Sequence, residues 1–203
     1  MRNIISDKSL ALGASSLVAV FFVLAAPAIA GAATASTTIS SAIGSVISVF
    51  TSNGTVNVNV TPSGAGAQTI ASDTLTVSTN DPLGYTLQIA DSDANTNMVS
   101  GSNNLAASAG TQASPIAQAV NTWGYRVDGA GGFGAGPTSG QNSTAIGALT
   151  FAGVPANSSP NTLKTTATTA SEDTTTVWYA VAADTSQPSG TYTDTVTYTA
   201  TAN

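Results

Sequence analysis

The stretch GTYTDTVTYTATAN at residues 190–203 alternates hydroxyl side chains with larger ones almost without interruption. Thr191, Thr193, Thr195, Thr197, Thr199 and Thr201 fall on one side, and Tyr192, Asp194, Val196, Tyr198, Ala200 and Ala202 on the other. A period of two belongs to an extended strand, whose successive side chains point to opposite faces. Threonine suits the wet face of such a strand because its branched Cβ favours extended backbone while its hydroxyl meets solvent. Asp194 breaks the apolar side, so it is expected at a strand end or a bulge.

Just upstream, VWYAVA at residues 177–182 is apolar on both sides, as a central strand covered on both faces must be. Other segments follow the two-residue period. Thr55 to Val60 alternates valine with polar residues, and Leu75, Val77 and Thr79 share one face. After the turn formers Asn80, Asp81, Pro82 and Gly84 come Tyr85, Leu87 and Ile89, so residues 72–90 read as a hairpin. Trp123, Tyr125 and Val127 mark a further strand, and Leu149 with Phe151 another. Residues 91–121 read as a long connection with one short helical turn, and Gly129 to Gly140 as a glycine-rich loop. Ile39, Ile43, Val46 and Phe50 fit a helical face, whereas β-branched Val46, Ile47 and Val49 favour a strand; the strand is preferred. The fold expected is all-β: an antiparallel, immunoglobulin-like β-sandwich of about eight or nine strands in a single domain.

The N-terminus reads as an export signal. Arg2 and Lys8 precede an apolar run from Leu17 to Leu24, and small residues at Ala28 and Ala30 stand where a signal peptidase cuts. Cleavage is expected after Ala30, with Ala32 second; an uncleaved membrane anchor is the alternative. The expected organisation is a signal peptide at 1–30, an N-terminal segment of the mature chain at 31–54, and the sandwich at 55–203. Beyond the signal no apolar stretch is long enough to span a membrane, so no stable span is expected after cleavage.

Charged residues make up only 7% of the chain, against about 25% in an ordinary globular protein. After residue 30, two basic residues stand against nine acidic ones, a net charge of −7. Nucleic acid is therefore not an expected partner, since it needs a basic footprint. The sequence has no His and no Cys, which removes imidazole bases, thiolates, disulfides and the common zinc sets. Asp91 with Asp93, or Glu172 with Asp173, is the only glycosidase-like carboxylate pairing, and both fall in polar segments where acids face water. No enzyme is expected, and no cofactor except calcium as a weak candidate. Asp91, Asp93 and Asn95 open an Asp-x-Asp-x-Asn spacing whose alternate oxygens can converge on that ion. Thr96 and Ser102, however, stand where an EF-hand has Gly and Glu, so a run of Asx turns is the expected reading.

Two short stretches resemble the WxL family of secreted, cell-wall-associated proteins. Gly84, Tyr85, Thr86 and Leu87 stand where that family carries its first Trp-x-Leu motif, and Tyr198, Thr199 and Ala200 resemble the second, with Tyr in place of both tryptophans. The resemblance implies export, a WxL-like β-sandwich and non-covalent attachment to a cell-wall polymer. Tyr85, Leu87, Trp123 and Tyr198 are then the envelope-binding candidates. Two other functions compete: a self-assembling pilus or surface-layer subunit that associates with other surface proteins or itself through residues 190–203, and a carbohydrate-binding or carbohydrate-acting protein.

Overall fold

The structure is a computed structural model and describes residues 32–136, 138, 142–144 and 146–203. The expected signal peptide and its Ala30 cleavage position lie outside the described residues. Residues 32–41 belong to a unit separate from Ala42–Asn203 and contain no strand.

The unit Ala42–Asn203 is all-β. Its strands are β1 (Ile47–Thr51), β2 (Ala67–Thr79), β3 (Tyr85–Asp91), β4 (Met98–Ser100), β5 (Asn103–Ala107) and β6 (Ile116–Ala117). Then follow β7 (Thr122–Arg126), β8 (Asn142–Thr144), β9 (Thr150–Phe151), β10 (Asn161–Thr165), β11 (Ala170–Ala183) and β12 (Val196–Ala202). Four of the twelve have three residues or fewer; the eight longer ones correspond to the expected number.

The larger sheet has the order β1-β2-β11-β7-β5-β4, with β8 also paired to β2; a smaller one is β10-β3-β12, and β6 pairs with β9 in a two-stranded ribbon. All pairs are antiparallel except β5 with β7, a parallel contact at Ala106 and Ala107 that the antiparallel expectation did not include. The two sheets share one core. Leu75, Val77, Trp123, Tyr125, Val177 and Tyr179 come from the larger sheet, and Tyr85, Leu87, Ile89 and Leu163 from the smaller. Burying an aliphatic side chain of this kind stabilises by about 1.5–3 kcal/mol, so this layer holds the sandwich together.

β11 has a second apolar layer on its other face. Ala180 packs there with Ile70 and Phe151, and Trp178 and Leu149 lean on the same cluster. That is why the 177–182 run is apolar on both sides, as the sequence implied.

Four expectations are corrected. β2 and β3 are not a hairpin: β2 pairs with β1 and β11, β3 with β10 and β12, and residues 80–84 carry the chain from one sheet to the other. Gly84 makes this corner possible. Its φ is +84°, and a Cβ there would lie 2.5 Å from the Thr166 carbonyl oxygen. Residues 55–60 form no ladder; Val56, Val58 and Val60 are half-buried against the core while Asn57 and Asn59 stay exposed, so the alternation records packing without pairing. Sheet pairing also begins before residue 55, because β1, the strand preferred for the ambiguous segment, lies at the edge of the larger sheet. Residues 91–121, read as a connection with a helical turn, instead carry β4, β5 and β6.

Candidate functional site

The four envelope-binding candidates are packing residues. Tyr85 and Leu87 are fully buried on β3 and Trp123 is 4% exposed on β7. Tyr85 donates its hydroxyl hydrogen to Asp173 Oδ2 at 2.8 Å, and Trp123 Nε1 donates to the Thr96 carbonyl at 3.0 Å while its ring stacks on Tyr179. Tyr198 is half-buried on β12 and shares a hydrogen bond with the Tyr179 hydroxyl across the two sheets. Burial pushes the phenol groups of Tyr85, Tyr179 and Tyr198 well above the ordinary tyrosine range. The structure thus brings Tyr85, Leu87 and Trp123 into one core, with the half-buried Tyr198 packed against it. The WxL resemblance selected them, but aromatic and aliphatic residues on strand faces are also the signature of a core.

Of the carboxylate pair Glu172 and Asp173, only Asp173 is tied to other side chains; Arg126 and Asp128 form a second ion pair. Asp173 receives Lys164 Nζ at 2.6 Å and the Tyr85 hydroxyl, tying β10 and β3 to β11. Burial opposes its charged form, but these hydrogen bonds outweigh that and hold its carboxyl below the usual range. Its neighbour Glu172 sits at a β-bulge with φ +52°, exposed and apart from this pair. Arg126, 3% exposed, is paired at 2.6 Å with Asp128, which in turn holds the loop at Thr138 through its backbone N–H and hydroxyl.

The Asp-x-Asp-x-Asn loop forms the expected run of Asx turns. Asp91 Oδ1 accepts from Asp93 N, Asp93 Oδ1 from Asn95 N, and Asn95 Oδ1 from Asn97 N. Asp93 and Asn95 are exposed, whereas Asp91 is 1% exposed. The structure adds a residue that the local motif did not contain. Asp91 pairs with Val196 and Ser92 N donates to the Thr195 carbonyl, which lays the chain before β12 along the loop and sets Asp194 against Asp91. Burial and the neighbouring carboxylates of Asp91 and Asp93 outweigh a hydrogen bond from Thr195 N and push Asp194 up to about 7. Only its break in the apolar alternation marked Asp194 as unusual.

A site absent from the sequence reading is an open cleft of about 710 Å³, within the volume range of ligand pockets. Val127, Asp128, Leu163, Lys164, Thr175 and Trp178 line it. β7 pairs with β11 only from Trp178 to Ala182, so beyond Trp178 the β11 backbone has β2 on one side and, among the described residues, no strand on the other. The Thr175 hydroxyl is buried there without a hydrogen-bond partner, and Trp178 is half-buried at the rim. The cleft exists because β7 stops early, which no local pattern announces.

Among the described residues no helix is long and apolar enough to cross a membrane. No family model, no curated protein and no solved structure matches the chain.

Proposed function

We propose that this is an exported, non-enzymatic cell-surface protein that holds the envelope through its β domain, by the cleft beside Trp178. The observation that carries the reading is that cleft, where a half-buried indole lies with a strand edge and a Thr175 hydroxyl that are unpartnered among the described residues. Aromatic faces and a few placed polar groups are what a hydroxyl-bearing polymer needs from a protein. Both charged residues on its walls are already paired, Lys164 with Asp173 and Asp128 with Arg126, which suits a neutral ligand. The role is that implied by the WxL resemblance, with the contact moved away from the buried aromatics. Co-sedimentation of the mature protein with insoluble peptidoglycan tests it. Retention is expected, reduced about tenfold or more by Trp178→Ala; protein left wholly in the supernatant overturns it.

A second reading, self-assembly, is favoured by one observation: β12 is an edge strand hydrogen-bonded to β3 alone. An open edge is a template for another chain. β12 is nevertheless integral to its own sandwich through Tyr198 and through Asn203, whose amide donates to the Leu83 and Thr166 carbonyls. Deleting residues 190–203 is therefore expected to unfold the protein. Thr199→Lys is the cleaner probe: if the edge polymerises, light scattering falls while the monomer melts normally. A wild-type protein that stays monomeric at high concentration removes the reading.

A further inference from the structure

Asp91 and Asp194 form a poorly compensated polar contact. Asp91 Oδ2 and Asp194 Oδ2 are both buried and both lack a hydrogen-bond donor, although each carboxyl lies against the other. Their second oxygens are satisfied, by Asp93 N at 3.0 Å and Thr195 N at 2.7 Å. The unsatisfied oxygens are the remaining one on each carboxyl, Asp91 Oδ2 and Asp194 Oδ2. Two carboxylates in contact, one buried and one half-buried, stay charged together only with a cation between them, and otherwise one of them takes up a proton. No side chain supplies that cation. The only basic residues after residue 30 are Arg126 and Lys164, and each is already paired elsewhere.

The surroundings are built from oxygen. Asp93 is exposed beside the pair, and its charge acts on Asp194. The loop of residues 155–157 closes the other side, with the Pro155 carbonyl accepting from Asp91 N and Asn157 N donating to the Asp93 carbonyl. Among the described residues no three carboxylates already converge on a point, since Asp93 turns Oδ1 toward Asn95. A third carboxylate would have to come from the exposed Asp93, by a turn of its side chain that gives up the bond from Asn95 N.

We infer that Asp91 and Asp194, completed by Asp93, bind a divalent cation of the calcium type. Carboxylate and carbonyl oxygens without nitrogen or sulfur select a hard cation. An irregular loop suits the six to eight flexible ligands of calcium better than the strict octahedron of magnesium. The site joins a loop to a strand a hundred positions away, so an ion there fastens β12 to β3 at the end opposite Asn203.

The test is thermal melting of the full mature protein at neutral pH, in calcium and in excess chelator. Calcium at about a hundred times its Kd is expected to raise Tm by roughly 5–10 °C. Asp194→Asn is expected to abolish that shift and, in chelator, to melt no lower than wild type, because it removes a repelling charge. A purely structural Asp194 would lower both curves instead. Terbium luminescence gives an independent readout, since the Trp123 indole is bonded to Thr96 of the same loop; sensitised emission should appear in wild type and vanish in Asp194→Asn. Identical wild-type melts in calcium and chelator, or a calcium shift that survives Asp194→Asn, overturns the site.

Discussion

β11 and β12 are both extended, both rich in threonine and both close to the end of the chain, yet they do opposite work. β11 has β2 along nearly all its length, β7 along its second half, and an apolar layer on each face. β12 has β3 on one side only, a half-buried face and a row of exposed threonines. The difference shows that the two-residue period fixes which way side chains point, while the number of neighbours is decided by chain segments far away. A strand with Thr on one side keeps an exposed edge soluble; a strand apolar on both sides can only be central.

The comparison is broken most severely at the contact that joins the two strands. Tyr179→Ala removes a core ring from β11 and is expected to lose about 3–5 kcal/mol, read from urea denaturation. The corresponding Tyr198→Ala on half-buried β12 should cost about half as much; equal losses would show that the edge strand is as central as β11. Next in size is the corner feeding β3, the partner of β12. Gly84→Ala forces a Cβ against the Thr166 carbonyl at positive φ and is expected to cost about 2 kcal/mol or more, measured in the same way.

A smaller effect concerns pH. Asp173 bridges β11 to β3 and β10, and its carboxyl is held below the ordinary range, so its contribution is fully present above the unfolded-state pKa near 4. That contribution is lost as pH falls through the lower folded value. Asp173→Asn should therefore flatten the acid limb of a stability–pH curve below about pH 4 and leave the shape above it unchanged; an unaltered acid limb would show that the pair is idle. The smallest effect is expected on the Thr face of β12, where Thr197→Val should change stability by no more than about 0.5 kcal/mol. A loss beyond 1 kcal/mol would mean that the exposed face is covered in the folded protein.

Much of the fold was legible in particular residues. Val177 to Ala182 announced a central strand and Tyr85, Leu87 and Ile89 a buried face, and both stand where the pattern placed them; the alternation from residue 190 outran its strand, since β12 starts at Val196 and leaves Asp194 before it. What the pattern lacked was pairing. Residues 72–90 look like a hairpin because β2, a five-residue turn and β3 have the local chemistry of one. Only the distant partners Ile47, Ala170 and Ala202, opposite Thr79 and Tyr85, show that the chain changes sheets there. The cleft was illegible for the same reason, since it arises where β7 ends beside β11. The aromatic candidates were legible as strand residues, and their burial followed from that same alternation. Asp91 was found by its Asx spacing, while Asp194 was invisible to any local motif because the fold brings it in from elsewhere.

The β2–β11 ladder has a consequence in time. It joins residues roughly a hundred positions apart, and such non-local pairing is slow because a large loop must close before any contact is rewarded. A nascent chain that has emerged as far as residue 160 holds β2, β3 and β7 but not the strand that β2 and β7 share. Until β11 arrives, the larger sheet has no centre, and the polypeptide remains pliable. That delay acts as a built-in timer, released only by the last fifth of the sequence.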